Sequence, residues 1–257
     1  MTHSSDTARA EDSPKSIVRE GWNRVSLVYR PEGISDDIFG HTIEDHQGWL
    51  KPILERGAAG TRVLDLGCGC GIPDTRLLAQ RFQVTGVDIS EVQIERAKKV
   101  VPAASFVRAD MTEVEFPPAH FGAVICLYAL IHVPLEEQPG LLRKIFAWLE
   151  PRGLFLLITG HEAWTGTERG WLESEAMMYW SHAGAETYVA WLREIGFELL
   201  TREYVPEGQR GHELFLLEKG LPAPREPQRN AIGSGLDPIQ PIGEATSPTR
   251  DPRICLL

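Results

Sequence analysis

Val63-Leu64-Asp65-Leu66-Gly67-Cys68-Gly69-Cys70-Gly71 joins a short apolar, β-prone run to glycines at every second position. The pattern predicts a strand, a tight glycine loop and a helix over about Ile72 to Arg81. Glycines there let the backbone turn sharply and leave its N–H groups bare for a ligand. The partly positive end of the following helix falls at the same place. A strand–loop–helix unit of this kind is a nucleotide-type site at the carboxyl end of a strand in an open, doubly wound α/β sheet. The dinucleotide fingerprint G-x-G-x-x-G fails, because its third glycine would fall on Ile72 or Asp74. No Gly-Lys-Ser or Gly-Lys-Thr supplies a P-loop.

Phe82 to Asp88 reads as a second strand ending in a carboxylate, 23 residues after Asp65. That is where a ribose-binding acid falls in such a unit, and a carboxylate can accept from both hydroxyls of the diol. Ser90-x-x-Gln93 matches a capping box. Gln93 therefore either reaches back to the cap N–H or touches the nucleoside. A third strand, Ser105 to Arg108, runs into Ala109-Asp110-Met111. The fourth, Phe121 to Leu127, is apolar enough to be buried on both faces. Beyond Tyr128-Ala129-Leu130-Ile131-His132-Val133-Pro134, an amphipathic helix carries Leu141, Leu142, Ile145, Phe146 and Leu149. Pro151-Arg152-Gly153 reads as a turn and Leu154 to Thr159 as a fifth strand. Ala185 to Ile195 reads as a helix, and Phe197 to Tyr204 with Glu213 to Glu218 as a closing β-hairpin.

Asp65-x-Gly67-x-Gly69-x-Gly71 with Asp88 and Asp110-Met111 resembles the class I S-adenosylmethionine (SAM) dependent methyltransferases of the small-molecule acceptor type. The resemblance covers roughly residues 17 to 218 and is most specific over 63 to 159. It implies a doubly wound, mostly parallel seven-stranded sheet with a C-terminal antiparallel hairpin. It implies SAM as cofactor, held by Asp65, Gly67, Cys68, Gly69 and Gly71 on the loop. Asp88, Ile89 and Gln93 would follow at the ribose, Asp110 and Met111 at the adenine, with Leu127 completing the site. Tyr29 is a candidate lid residue on an N-terminal cover. The implied reaction is in-line displacement of the methyl group onto a small acceptor, aromatic or apolar. Two other classes stay open. One is a SAM-binding protein that transfers no methyl group. The other is a nucleotide-dependent oxidoreductase, against which the failed third glycine speaks.

Absences narrow the acceptor. Adenine and amide N-methyltransferases carry an Asn/Asp-Pro-Pro-aromatic motif after the fourth strand, where this chain reads Cys126-Leu127-Tyr128-Ala129. Magnesium-dependent enzymes place carboxylates after the fourth and fifth strands, since a hard cation wants oxygen ligands. Those ends carry Tyr128 and Gly160-His161, so no metal is expected. Three histidines compete as a general base: His132, His161 and His182. Each has a structural reading as well. Between His161 and His182 lie Trp164, Trp171, Met177, Met178, Tyr179 and Trp180. Trp164, Tyr179 and Trp180, with Tyr128, are the candidate acceptor wall; the alternative is plain core for the helix that follows.

The chain of 257 residues is long enough for one α/β domain with additions. A net charge of −10 argues against a nucleic-acid partner. No apolar run spans a membrane and no signal peptide is evident. Cysteines at 68, 70, 126 and 255 make no disulfide scaffold, so a reducing cytoplasm is expected. The expected organisation is a disordered segment over 1–15 and a methyltransferase domain over 16–219. Within it, 16–60 forms a helical cover and 160–183 a substrate lid. A disordered tail follows over 220–257, with seven prolines from residue 219 onward.

Overall fold

The computed structural model describes residues 13–34, 40–207 and 210–221. Most of the segments expected to be disordered, 1–12 and 222–257, lie outside them. Strands β1 (Arg62–Leu66), β2 (Gln83–Asp88), β3 (Ser105–Arg108), β4 (Phe121–Leu127), β5 (Leu149–Gly160), β8 (Phe197–Glu207) and β9 (Arg210–Lys219) form one sheet in the order β3-β2-β1-β4-β5-β9-β8. Pairing is parallel from β3 to β5, while β9 runs antiparallel to both β5 and β8. The expected α/β sheet with its closing hairpin is the one found.

Side-chain alternation divides the core. Leu64, Leu66, Val124, Cys126, Phe155 and Leu157 face helices α5 (Gln138–Trp148) and α6 (Ala185–Ile195). Val63, Ala123, Ile125, Leu154, Leu156 and Ile158 face α2 (Ile43–Arg56) and α3 (Asp74–Ala79). Because both faces are covered, the inner strands read as unbroken apolar runs. Among the described residues, no helix is long and apolar enough to cross a membrane.

Three boundaries differ from expectation. The helix after the glycine loop is only six residues, since Pro73 occupies its N-cap and delays its start to Asp74. The Pro151-Arg152-Gly153 turn is absorbed into β5: Arg152 takes φ +64° and pairing with β4 jumps from Leu149 to Leu154. The closing hairpin is longer than expected, reaching Glu207 and restarting at Arg210.

Helix α1 (Pro14–Tyr29) starts where Ser13 caps the N–H of Ser16, so Lys15 is helical rather than part of a disordered segment. The aromatic stretch after β5 forms a second, two-stranded sheet of β6 (Trp164–Arg169) and β7 (Met177–His182). Val18 and Val25 of α1 pack there with Trp171, Ala176 and Met178, a small core separate from the sheet. The approach is close because residue 21 is glycine: a Cβ there would stand 2.6 Å from the carbonyl oxygen of Met177.

Asp65 ends β1 beneath the loop. It is 4% exposed and accepts a 2.5 Å hydrogen bond from Thr75 Oγ1, tying β1 to α3. Burial, with the nearby Asp74 charge, pushes its carboxyl up to about 8, whereas an ordinary aspartate titrates at 3.8.

Two outcomes are expected from this packing. Gly21→Ala improves helix propensity by about 1 kcal/mol. The overlap with a backbone oxygen outweighs this, so the variant should melt lower than the parent; a higher melting temperature would show that α1 does not bear on β7 as described. For Asp65 the folded state binds the proton more tightly than the unfolded chain between pH 3.8 and about 8. The parent should therefore lose stability relative to Asp65→Asn as pH rises through that window. Parallel stability–pH curves for the two proteins would count against a buried, reluctantly ionised Asp65.

Candidate functional site

The glycine loop is shaped by positive backbone angles, with φ +78° at Gly67, +53° at Gly69 and +81° at Gly71. Most of its N–H groups are already engaged. Gly67 and Cys68 both donate to the Val87 carbonyl, at 2.8 and 3.0 Å, and Gly71 donates to Cys68. Gly69 donates to Asp88 Oδ2 at 3.0 Å. The expectation of a bare donor nest is therefore corrected. The glycines serve conformation and close approach, while neighbouring β2 holds the loop in place.

Asp88 is the clasp. Its Oδ1 accepts from Ser90 N at 2.8 Å, so one carboxylate secures both the loop and the start of α4 (Glu91–Val100). Burial raises its carboxyl to about 6, while those two backbone bonds pull it down. Ser90 Oγ accepts from Gln93 N and donates to Asn23 of α1. Gln93 does not close the capping box, since Asp88 already holds the cap N–H. Its Oε1 instead accepts from Ser26 of α1 at 2.7 Å.

Helix α1 thus lies across the carboxyl ends of the strands, fastened at both ends. Arg96 of α4 donates to the Ser26 and Arg30 carbonyls. Lys15 reaches Asp110 at 2.7 Å and Glu137 at 2.5 Å. Asp110 also accepts from Thr112 N and Oγ1.

Under this roof is a cleft of about 1040 Å³ that opens to solvent. It brings together the expected Tyr29, Gly67, Cys68, Gly69, Asp88 and Ile89. Gln93, Asp110, Met111, Leu127, Tyr128 and His132 line it too. Asp65 and Gly71 do not. Asp65 is turned under the loop toward Thr75. Gly71 faces α4, where a Cβ would stand 3.0 Å from Val101. The cleft also holds residues that sequence reasoning missed: Lys15, Trp22, and the His46–Asp74 pair joined at 2.8 Å. His46 Nε2 is buried without a hydrogen-bond partner.

A second cavity, of about 420 Å³ and likewise open to solvent, adjoins the first and shares Trp22, Tyr29, Tyr128 and His132 with it. Tyr128 ends β4 with φ +57°, a left-handed conformation that costs a non-glycine residue about 1–2 kcal/mol. His132 is held between Trp180, with ring centroids 4.5 Å apart, and Trp22, at 5.6 Å. Its Nδ1 lies 2.9 Å from the Tyr179 carbonyl, which only accepts, so Nδ1 carries the proton. Burial pushes the imidazole down to about 4, which leaves it neutral near pH 7 with Nε2 as an acceptor.

The other two candidate bases are elsewhere. His161 pairs with Glu213 at 2.7 Å and meets the Tyr204 ring, outside both cavities. His182 packs against Gly160, where a Cβ would stand 2.0 Å from its ring, and serves hairpin packing. Trp164 is 44% exposed and lines neither cavity. Tyr179 contributes its carbonyl to His132 rather than its ring to a cavity. Of the residues expected on an acceptor wall, Tyr128 and Trp180 line the second cavity. His41, Trp171, Glu207 and His212 complete it without having been singled out as site residues. Burial raises the Cys68 thiol, and Cys126 to about 12, so neither is a ready thiolate. Among the described residues, no three His, Cys, Asp or Glu side chains group to hold a metal ion.

Residues 63–153 match a family model described as a methyltransferase domain. Over 103 residues the chain is 34% identical to sterol 24-C-methyltransferase erg6 of Aspergillus fumigatus, covering 37% of this chain and 27% of that one. Over 106 residues it is 38% identical to 27-O-demethylrifamycin SV methyltransferase of Amycolatopsis mediterranei, covering 38% of each. The chain thus spans well under half the length of these two curated relatives. Among solved structures, the [4+2]-cyclase SpnF superposes with a TM-score of 0.62 at 18% identity, over 82% of this chain and 97% of that one. Magnesium protoporphyrin IX methyltransferase of Synechocystis PCC 6803 gives 0.60 at 18% identity, over 81% and 98%. Strand order, glycine loop and family match agree over residues 63–153, where this chain is similar to methyltransferase domains.

Proposed function

We propose that this protein transfers the methyl group of SAM to a small molecule with an aromatic or apolar body. The observation that carries the reading is the shared wall. The cleft over the glycine loop and the ring-lined cavity meet at Tyr128 and His132, as a two-substrate transfer requires. Relatives named for sterol and rifamycin methylation support a small-molecule acceptor. The net charge of −10 and the scattered cysteines support a cytoplasmic site of action without a nucleic-acid partner.

The residues present fit the cofactor. A Cβ on Gly69 would project into open space, with nothing nearer than Gln93 Nε2 at 3.9 Å, so a nucleoside can lie against the loop backbone. Each Asp88 oxygen keeps a lone pair beyond the bond it already accepts, enough for the two ribose hydroxyls. Asp110 and Met111, at the end of outer strand β3, fit the adenine. His46, held by Asp74 and with Nε2 unpartnered, fits the charged amino-acid end.

When bound, SAM supplies a methyl group made electrophilic by its sulfonium. The chain's own work is alignment and the exclusion of water. Trp22 and Tyr29 on α1 wall both spaces and cover one side of the meeting point. His132 Nε2 accepts a hydrogen bond from the acceptor and turns its nucleophilic atom toward the cleft.

Incubation with methyl-labelled SAM and a panel of small aromatic and amphipathic acceptors should yield a labelled product with S-adenosylhomocysteine (SAH). Tight SAH binding with no labelled product would favour a SAM-binding role without transfer. His132→Ala should lower transfer by about 10²-fold or more while changing SAH affinity little. Equal loss of both would make His132 a packing residue. His46→Gln should weaken SAH about tenfold but leave 5′-methylthioadenosine, which lacks the amino-acid end, unaffected. Equal weakening of the two ligands would remove His46 from that role.

A further inference from the structure

The acceptor cavity has an unusual wall. Ten described residues line it, and eight of them carry an aromatic or imidazole ring; the other two are Ile131 and Glu207. No lysine or arginine is among them. Glu207 Oε1 is buried and makes no hydrogen bond. His212 Nδ1 stands 3.3 Å from it and His41 Nε2 3.9 Å, within ion-pair range. His212 Nδ1 likewise makes no hydrogen bond.

A carboxylate withdrawn from water is costly unless a positive or hydrogen-bonding partner meets it. Ring faces carry negative potential and attract cations, most strongly where water is excluded. The two features select the same ligand. An anion would face a carboxylate that has only two imidazoles near it, and π faces of the wrong sign. A neutral molecule of the same shape would leave Glu207 with the two imidazoles alone. A compact ammonium group satisfies both.

Resting on the methyltransferase reading, we propose that this cavity takes an amine acceptor as its cation, and that the reaction is N-methylation. The ammonium gives one proton to water before attack. The nitrogen lone pair then forms the N–C bond while the C–S bond breaks and its electron pair stays on sulfur. The positive charge leaves as the methylated ammonium, held by the same rings and carboxylate that received the amine. Glu207 is a specificity residue that reads charge, and Trp180 presents a ring to it.

The test uses the SAH-loaded full chain and two probes of matched shape. These are 3-hydroxyphenyltrimethylammonium and its uncharged counterpart 3-tert-butylphenol, each titrated by calorimetry. The cation should bind at least about tenfold tighter than the neutral probe. Glu207→Gln should reduce that preference to about threefold or less while SAH affinity and melting temperature hold. Trp180→Leu should weaken the cation more than the neutral probe, an independent check should Glu207→Gln fold poorly. Equal binding of the two probes, no binding of the cation, or an undiminished preference in Glu207→Gln would overturn the proposal. Failure of the parent protein to bind SAH would instead remove the methyltransferase reading beneath it.

Discussion

The Asp88 carboxylate accepts from Gly69 N at 3.0 Å and from Ser90 N at 2.8 Å, and those two bonds link the glycine loop to the start of α4. Hydrogen bonds to a charged acceptor are worth about 1.5–3 kcal/mol each, and here they counter part of the burial that still leaves the carboxyl raised to about 6. With Gly69 fixed, the loop keeps its height above β1. With Ser90 fixed, α4 starts where its side chains reach α1: Ser90 to Asn23, Gln93 to Ser26, Arg96 to Ser26 and Arg30. Helix α1 then supports the β6–β7 hairpin through Val18, Val25 and Gly21. One acid at a strand end thus governs the floor of the cleft, its roof and, through the roof, part of the acceptor wall.

The roof is tied to its surroundings by polar bonds and ion pairs, and its apolar support is small. Val18, Val25, Trp171, Ala176 and Met178 form a core separate from the two that cover the sheet. Trp22 and Tyr29 meet each other edge to face at 5.0 Å and pack on it through Trp171, Trp22 edge to face at 5.1 Å and Tyr29 stacked at 6.2 Å. Such a cluster opens locally at less cost than the sheet does, which suits an element that must admit a cofactor beneath it.

What the sequence made legible follows from how local the signal is. The βαβ unit, the strand ends at Asp88 and Asp110, and the apolar runs of β4 and β5 are written in short stretches, and each is found near where the pattern placed it, with a shorter helix after the loop and an earlier start to β5. The misses have a common physical source. Asp65 and Gly71 belong to the motif, but the loop's curl turns them away from the cleft. His161 and His182 sit at the right end of the sheet, yet pairing with Glu213 and packing on Gly160 give them other work. Glu207 and His212 went unnoticed because the hairpin runs past the positions where its apolar alternation stops. Their meeting with His41 and Tyr128 is set only by tertiary packing.

Only three of the ten described acceptor-wall residues, Tyr128, Ile131 and His132, fall within the stretch 63–153 that matches the family model. The remaining seven come from the N-terminal cover, the inserted hairpin and the extended closing strands. The family match therefore takes in the glycine loop, Asp88 and Asp110, while most of the ring-lined cavity lies outside it. His41, Trp171, Trp180, Glu207 and His212 line that cavity alone, so substitutions there would reshape it without touching the cleft, whereas changes at Trp22 or Tyr29 would alter both spaces at once.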